Sequence, residues 1–544
     1  MRIRPIQLKS SNRLINQYRL QSDDVMEYFS YRPFDSLEKR VLDIQSRPYQ
    51  RQALSDILYK MNVDWDAPDA TLLQIERLKD TESVVVIGGQ QAGLLTGPLY
   101  TLNKIMTIIS FAKKQEQILN VPVIPVFWIA GEDHDYDEIN HIYTKRNEKL
   151  YKHTSPQSLY LKHSISHIEL DKEKITEWVQ HAFMDLSETE HTKELYEVVC
   201  HCLNKSTTYV DFFARLTFKL FEEEGIVLID SAHHDLRQLE SKWFVQMIER
   251  QPFIAKEVYH TVQSLRQKGY FVDVDVESDD VHLFFHDENN ERILLKKENE
   301  YFVGKNNEVT LTKEEILHIA NNHPERLSNN VVTRPMMQEL LFPTLAFFGG
   351  DGEISYWAAL KSAFRALDDR LQLPPVIPRY SFTYVTKRVE KLVEARVISI
   401  EQILNEGLEN ERVNWLMSQN DPPIDVLFQE VKKSIDKIHA PLRTLAKEIS
   451  ADLGNEANKN LDYMIKNVTY LENRMNQKLM EKYEHELSQF TEIELALKPN
   501  ETLQERVWNP LPFLNQYGLQ LFNMLIAELK DLTLEEKHFA IYLD

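Results

Sequence analysis

The segment SVVVIGGQQAGLLTGPLYTLNKIMTIISFAK, residues 83–113, decides the fold of this chain. It starts with a short β-branched run, continues through a glycine-rich turn and ends in a stretch with Leu102, Ile105, Met106 and Ile109 on one helical face. This order predicts a buried strand, a loop and an amphipathic helix. The segment is therefore the first half of a βαβ unit.

Other apolar runs repeat this pattern along the chain. Residues 122–130, 225–230 and 343–348 each read as a buried strand followed by a polar or glycine-rich loop, and 374–385 is a weaker fifth strand because of its prolines. Strands that alternate with helices predict an α/β fold with a doubly wound parallel sheet. Ligands of such sheets bind at the carboxyl ends of the strands.

Composition narrows the classes of function. The chain has 544 residues, enough for about two to four domains. Asp and Glu number 84 against 63 Lys and Arg, and the net charge of −21 disfavours nucleic acid as a partner. No apolar run approaches the roughly 18 residues of a membrane helix, and the N-terminal sequence lacks a signal-peptide core. We therefore expect a cytoplasmic protein without a membrane partner, and two cysteines suit a reducing compartment.

The chain between these strands is long enough to hold inserted modules. An alternating pattern predicts a hairpin at 159–170, and helices follow up to Glu224. Further alternating runs, the first at 271–276, predict a small antiparallel sheet. We divide the chain into an N-terminal helical segment packed on the core (1–82), the first half of the core (83–143), an inserted connecting module (144–224), a core strand and helix (225–250), a second inserted α+β module (251–333), the second half of the core (334–423), an antiparallel coiled-coil arm (424–490) and a C-terminal segment that folds back on the core (491–544).

Heptad spacing predicts the arm. Apolar residues step by four and three along two stretches: Val431, Ile435, Ile438, Leu442, Leu445 and Ile449, then Leu461, Met464, Val468, Leu471 and Met475. Gly454 and clustered asparagines between them predict a turn at 453–460. Two helices paired only with each other leave an apolar stripe exposed, so we expect a homodimer formed through 424–490.

Only 14 glycines occur in the chain, and eight of them lie in three loops that follow predicted strands. The first loop is neither a Walker loop nor a dinucleotide fingerprint. Its backbone amides at the start of a helix could bind a phosphate or a carboxylate. The candidate binding residues here are Gln90, Gln91, Gly93, Thr96, Gly97, Asn103 and Lys104. Alternatively, the glycines only allow the helix to pack closely on the sheet.

The second loop is crowded with acidic residues. Glu132, Asp133 and Asp135 surround His134 directly after a strand. Carboxylates this close together bind a cation, bind an amine or act as acid and base. We predict catalytic roles for His134, Asp133 and Asp135, with His134 as the proton acceptor, and a binding role for Glu132. The alternative is a solvated acidic loop.

Two pairs of residues flank the fourth strand. Arg334 and Gln338 precede it, and Asp351 and Glu353 follow its glycines. Arg334 could hold a carboxylate with two hydrogen bonds, or could pair with a neighbouring acidic side chain. Asp351 could bind an amine or sugar hydroxyls. We predict no metal site, because Cys200, His201 and Cys202 supply too few ligands for structural zinc.

Four long motifs, in order, resemble the BshC family, the cysteine-adding enzymes of bacillithiol biosynthesis: VVVIGGQQAGLLTGPLYTLNKI, PVFWIAGEDHDYDEINH, RPMMQELLFPTLAFFGGDGEISYWA and ERVWNPLPFLNQYG. The resemblance implies a Rossmann-like core related to class I aminoacyl-tRNA synthetases, with connecting-peptide insertions and a coiled coil. It also implies the ligation of L-cysteine to the amino group of glucosaminyl malate, the last step of bacillithiol biosynthesis.

The resemblance to class I adenylating enzymes has gaps. Where those enzymes carry His-x-Gly-His, this chain reads TGPLY at 96–100, and it has no Lys-Met-Ser-Lys-Ser loop. ATP is therefore expected as the activating cosubstrate from the resemblance alone, and a metal requirement is not defined. Another nucleotide-dependent ligase or nucleotidyltransferase on the same core, or a non-catalytic coiled-coil scaffold, remain alternative functions.

Overall fold

The computed structural model describes residues 1–10, 12–35, 37–146, 148–158, 161–533, 535 and 538–544. The strands within these ranges are β1 (Arg2–Ile6), β2 (Val84–Gln90), β3 (Val123–Ile129), β4 (His141–Arg146), β5 (Lys149–Thr154), β6 (Val227–Asp230), β7 (Asp280–His286), β8 (Arg292–Glu298), β9 (Tyr301–Gly304), β10 (Thr310–Thr312), β11 (Leu327–Asn329), β12 (Thr344–Gly349), β13 (Val376–Pro378), β14 (Phe382–Thr386) and β15 (His538–Leu543).

Helices connect and cover these strands. In chain order they are α1 (Arg13–Arg19), α2 (Asp23–Met26), α3 (Glu38–Gln45), α4 (Arg51–Asp64), α5 (Asp69–Arg77), α6 (Leu99–Leu119), α7 (Tyr136–Ile139), α8 (Lys172–Met184), α9 (Thr192–Lys205), α10 (Tyr209–Leu220), α11 (His234–Gln267), α12 (Lys313–Asn322), α13 (Thr333–Leu341), α14 (Asp351–Trp357), α15 (Lys361–Leu367), α16 (Lys387–Ala395), α17 (Ile400–Glu406), α18 (Glu409–Met417), α19 (Ile424–Ile449), α20 (Ala451–Lys482), α21 (Glu484–Leu497), α22 (Gln504–Val507), α23 (Leu511–Tyr517) and α24 (Leu521–Leu529).

The core is a five-stranded parallel sheet in the order β13-β12-β2-β3-β6. Every residue of β3 is buried, because helices cover both faces of the sheet. Helix α6 makes the crossover from β2 to β3. The predicted α/β fold with a doubly wound, Rossmann-like parallel sheet is confirmed.

The weak fifth strand divides into two. Strand β13 forms one edge of the core sheet, whereas β14 lies in a separate three-stranded sheet of order β1-β15-β14. Pro378 ends the first piece, since proline cannot donate to a sheet ladder. The N-terminal segment predicted to be helical thus also supplies an edge strand, β1.

The first inserted module contains a hairpin at a different place from the prediction. Strands β4 and β5 pair antiparallel within 141–154. Of the predicted hairpin at 159–170, residues 159 and 160 lie outside the described residues, and 165–167 form a 3₁₀ turn. The alternation there reflects burial of Ile165 and Ile168 against the core rather than a sheet ladder. Helices α8, α9 and α10 follow as expected.

The second inserted module is a five-stranded antiparallel sheet in the order β10-β9-β8-β7-β11. Its start differs from the prediction in two ways. Helix α11 continues through the expected boundary at residue 250 and ends at Gln267. Residues 271–276 form no strand. Val272 and Val276 are buried, but the segment pairs with no strand of the described residues.

The arm consists of helices α19 and α20 packed antiparallel. His439 lies 3.1 Å from Asn460, and Asn476 donates to Asp425 at 3.1 Å. The turn lies at Ser450 rather than at the predicted 453–460, because the Ser450 side chain caps α20 at the Leu453 amide. Gly454 belongs to α20, where an added Cβ would lie 3.2 Å from the Lys447 Cα, so it permits close helix packing.

Most heptad residues of the arm are exposed, whereas Ile435, Leu461 and Val468 are half-buried. The fractional exposure is 76 % for Ile438, 60 % for Leu442, 56 % for Leu445 and 67 % for Ile449. The contact between the two helices is instead partly polar, with a Lys432–Glu472 ion pair in addition to the bonds described above. We call the four exposed residues Ile438, Leu442, Leu445 and Ile449 the outer seam.

None of the described helices combines the length and apolarity needed to cross a bilayer.

Candidate active site

One cleft opens where the loops after β2, β3 and β12 meet, and its cavity volume is about 290 Å³. This volume lies near the lower end of the range for small-molecule sites, about 300 Å³. Seven predicted residues line it: Gln90, Gln91, Lys104, Asp133, Arg334, Gln338 and Glu353. The loop after β6 does not reach the cleft and packs behind β3, where Ser231 accepts a hydrogen bond from the Glu132 amide.

Asp133 supplies a fixed carboxylate to the cleft. It accepts hydrogen bonds from Gln91 Nε2 at 2.9 Å and from the His134 amide at 2.8 Å. Burial raises the pKa of Asp133, but the nearby Arg292 guanidinium and these hydrogen bonds outweigh that effect, so its pKa lies below the usual value. Glu138 adds a second acidic side chain to the lining.

His134 lies next to Asp133 but not on the cleft wall. Arg292 Nη1 lies 3.1 Å from its Nδ1, and Asp135 lies 3.8 Å from its Nε2. Burial and the Arg292 charge lower the pKa of His134. Both ring nitrogens of His134, the predicted proton acceptor, therefore face protein groups.

Glu132 is buried behind the cleft. Its carboxylate pairs with Arg237 and accepts the Asn329 amide at 3.1 Å, while Arg237 also pairs with Glu240 at 2.8 Å. This buried network ties the loop after β3 to α11 and β11. Glu132 thus holds the loop in place and does not face the cleft.

Arg334, at the start of α13, brings a positive charge to the cleft. Its Nη2 donates to the Tyr356 hydroxyl at 3.0 Å, and in the described part of the chain no carboxylate forms an ion pair with it. Arg334 is half-buried and lines the cleft. Of the two roles considered for Arg334, pairing with a neighbouring carboxylate is therefore not observed. Arg506 from α22 adds a further cation to the lining.

Lys104 and Glu353 form a pair in the wall. Lys104 Nζ lies 2.6 Å from Glu353 Oε2 and donates to the Gly89 carbonyl at 2.7 Å. Burial lowers the pKa of Lys104. Glu353 also accepts the Gly350 amide at 2.8 Å, so the pair joins the first and third glycine loops.

The first glycine loop is sealed by the C-terminal segment. The Leu99 amide, at the start of α6, donates to the Trp508 carbonyl at 2.8 Å, and Asn509 Nδ2 donates to the Gly97 carbonyl at 2.7 Å. An added Cβ at Gly93 would lie 2.7 Å from the Gly97 Cα. Leu99 therefore offers no free amide to a phosphate. Close packing explains Gly93, a φ of +72° explains Gly97, and Thr96 is buried.

Asn103 and Asp351 also lie off the cleft wall. Asn103 donates to Glu505 at 2.7 Å and accepts from the Tyr384 hydroxyl, so it joins α6 to the C-terminal segment. Asp351 lies 3.5 Å from Arg19 of α1 and faces that helix.

Three arginines at or beside the cleft were missed in the sequence. Arg379 lines the cleft and pairs with Glu505 at 2.8 Å, which holds the pKa of Glu505 down to about 2 although burial raises it. Arg506 also lines the cleft, and Arg292 lies behind it. A signal existed for two of them, since Arg379 follows a strand directly and Arg506 falls in the motif ERVWNPLPF.

One group of side chains has the spacing of a metal site. One potential ligand atom from each of Asp133, His134 and Asp135 lies within 4.8 Å of the others. Arg292, however, already satisfies His134 Nδ1 and places a positive charge beside the group. These residues therefore fit a divalent cation poorly.

Comparison with known families agrees with this architecture. Residues 1–380 match the family described as bacillithiol biosynthesis BshC, N-terminal Rossmann-like domain, and residues 382–543 match its C-terminal coiled-coil domain. The chain belongs to the BshC family. The division between the two BshC domains falls between β13 and β14, where the core sheet ends and the three-stranded sheet begins.

Curated relatives are similar over their whole length. A protein of Oceanobacillus iheyensis is 38 % identical over 100 % of both chains, and one of Halalkalibacterium halodurans is 41 % identical over 97 % of both. A protein of Bacillus cereus strain AH187 is 39 % identical over 94 % of both. All three are provisionally named cysteine ligase BshC.

Proposed function

We propose that this protein is a ligase that joins the carboxyl group of L-cysteine to the amino group of glucosaminyl malate, the last step of bacillithiol biosynthesis. Membership of the BshC family and the name of its relatives support this reaction. The carrying observation is a cleft that combines the Asp133 carboxylate with Arg334, which forms no ion pair with a carboxylate of the described residues. Both cysteines are free thiols, which suits our proposal that the reaction takes place in the cytoplasm.

The charges of the cleft suit the two substrates. Asp133 and Glu138 would receive the amino group, because a carboxylate attracts an ammonium and accepts hydrogen bonds from an amine. Arg334 and Arg506 would bind carboxylates of the malate group, since guanidinium and carboxylate form two parallel hydrogen bonds. Gln91 and Gln338 add hydrogen-bond donors and acceptors to the same wall.

Amide formation needs an activated carboxyl group and a neutral amine. The amine nitrogen attacks the carboxyl carbon, the C–N bond forms, and the bond from that carbon to the leaving oxygen breaks. The amine gives up one proton before the attack and one after it. Of the predicted catalytic group, Asp133 lines the cleft, whereas His134 and Asp135 do not. Of these three residues, Asp133 is thus the one that we propose to contact the amine.

We also propose ATP as the activating cosubstrate. The support is a cleft with four cationic side chains in its wall. Lys104 and Arg379 pair with Glu353 and Glu505, whereas Arg334 and Arg506 form no ion pair among the described residues. It does not come from the first glycine loop, because the amides of Gly97 and Leu99 are bonded within the protein. The residues therefore suit an anionic ligand in general, and no step is assigned to the nucleotide.

Incubation with cysteine, glucosaminyl malate and ATP, followed by mass spectrometry, tests the proposed function. We expect a product with the mass of both substrates less one water, and no product when ATP is omitted. Product without ATP would keep the ligase and overturn the nucleotide. If enzyme equimolar with the substrates forms no product from glucosaminyl malate but does form product from another amine, a different ligase activity is favoured.

We propose in addition that the protein is a homodimer formed through the arm. The outer seam is exposed in the single chain, and helices with exposed apolar heptads associate. Light scattering should give twice the chain mass at micromolar concentration, and the double variant Ile438→Glu and Leu442→Glu should give the single mass. The matched variant Lys433→Glu changes an exposed polar residue on a different face of α19 and should leave the dimer intact. A single mass for the unmodified protein would contradict the proposal.

A further inference from the structure

Arg292 connects the second inserted module to the cleft. It is the first residue of β8, and its side chain is almost fully buried, with the guanidinium carbon 3.7 Å from the centre of the Phe284 ring. Nε donates to Ser328 Oγ at 3.2 Å, and Nη2 donates to the Asn329 carbonyl at 2.7 Å. These contacts within the module fix the plane of the guanidinium.

The remaining nitrogen of Arg292 points at the loop after β3. Nη1 lies 3.1 Å from His134 Nδ1 and 3.4 Å from Asp133 Oδ1. A guanidinium can only donate, so His134 Nδ1 must accept, and the neutral ring carries its proton on Nε2. A second proton on His134 would remove this hydrogen bond and set two cations side by side.

We propose that Arg292 is a positioning residue of the ligation reaction. It holds Asp133 ionised and turned towards the cleft and keeps His134 neutral, so that the Asp133 carboxylate, rather than the imidazole, receives the amine of the substrate. This role in the reaction rests on the proposed function, whereas the effect of Arg292 on His134 does not. The inserted module thereby becomes part of the site although it does not line the cleft.

The charges around His134 are consistent with this role. Asp133 and Asp135 lie on its own loop and raise its pKa, whereas Arg292 from β8 and Lys162 from the first inserted module lower it. Burial is the largest cause that lowers the pKa of His134, and Phe284 makes an edge contact with the ring at 6.0 Å between ring centres. Removing Arg292 takes away both the largest cationic influence on His134 and a hydrogen-bond donor.

The test compares Arg292→Met with Arg326→Met. Arg326 is a matched control because it lies in the same module, covers the ring of Phe285 at 4.7 Å and donates to the His286 carbonyl, but contacts neither Asp133 nor His134. The titration of His134 is followed by NMR of ¹³C-labelled histidine, with the His134 signal assigned by His134→Gln. We expect the midpoint to rise by about one pH unit in Arg292→Met and to stay unchanged in Arg326→Met.

Kinetics provide the second readout. In Arg292→Met, we expect the KM for glucosaminyl malate to rise about 10-fold and the acid limb of the pH profile to move to higher pH, because Asp133 becomes easier to protonate. Arg292→Lys, which keeps the charge, should restore most of the His134 midpoint. An unchanged midpoint in Arg292→Met, or equal KM changes in both Met variants, would overturn the positioning role. If no variant forms product but the midpoint still rises only in Arg292→Met, the proposed reaction fails while the effect of Arg292 on His134 stands.

Discussion

The core sheet and the arm use apolar residues in opposite ways. In β3, every side chain is buried between helices on the two faces of the sheet. In α19, the residues with the clearest apolar periodicity are exposed, and the contact with α20 contains an ion pair and a buried histidine. Periodicity therefore reports that an apolar face exists, but not which partner covers it. The core covers its apolar side chains within the chain, whereas the outer seam stays exposed although α19 packs on α20.

The largest expected effect sharpens this contrast with one substitution made in both regions. Ile124→Ala in β3 should lower the free energy of unfolding by about 2–5 kcal/mol, because it leaves a cavity in a fully buried site. Ile438→Ala in the outer seam should change it by less than about 0.5 kcal/mol in dilute protein. Urea denaturation monitored by circular dichroism gives both values.

Protein concentration adds a control to this pair. If a second copy covers the outer seam, the free energy of unfolding lost in Ile438→Ala should increase with protein concentration. The free energy lost in Ile124→Ala, measured against the unmodified protein at the same concentration, should not increase. Equal losses at the two positions in dilute protein would break the comparison.

The second expected effect locates the chemistry in the core rather than in the arm. Arg334→Met should raise the KM for glucosaminyl malate about 100-fold, because a carboxylate loses a charged partner with two hydrogen bonds. Arg474→Met, which removes an exposed arginine of α20, should leave the KM unchanged. Steady-state kinetics with product detected by mass spectrometry distinguish them, and similar losses in both variants would contradict the assignment.

A smaller expected effect is a loss of folding stability at acidic pH. Burial lowers the pKa of His282 to about 4 and, with nearby arginines, the pKa of His286 to about 3. Below about pH 6.5 the unfolded chain takes up protons that these two rings cannot bind in the folded protein, so the free energy of unfolding falls as the pH falls towards 4. The loss should approach about 1.4 kcal/mol per pH unit for each ring.

Unfolding in urea between pH 7 and pH 5 measures this slope. His286→Gln should reduce it by the share of one ring, while His260→Gln, an exposed histidine of α11, should not. A slope that does not respond to His286→Gln would show that other groups control the acid sensitivity.

Local patterns predicted the parts of the fold that depend on neighbours in sequence. Uniform apolar runs located β2, β3, β6 and β12, since a strand buried on both faces has few alternatives. The loops after β2, β3 and β12 meet at one cleft because the carboxyl ends of parallel strands share one edge of the sheet, but the loop after β6 does not line this cleft. The turn of the arm was misplaced because Gly454 and nearby asparagines resembled a turn, although the capping serine at 450 was also visible.

The remaining errors arose where distant segments decide the structure. Residues 271–276 alternate like a strand but pair with no other strand of the described residues. Helix α11 extends to Gln267, beyond the predicted boundary at residue 250. Arg292, Arg379 and Arg506 come from three separate segments, and only the fold brings them to the cleft. Their local sequences carry charge but no information about which acidic group each one meets.

The seal over the first glycine loop has a consequence for how the protein is made. Leu99 and Gly97 emerge early from the ribosome, but the groups that satisfy them, the Trp508 carbonyl and the Asn509 amide, are synthesised about four hundred residues later. These hydrogen bonds to the loop therefore cannot form until almost the whole chain has been translated. A ribosome that stops before residue 504 would release a product with the core sheet already encoded and its central loop open to proteases.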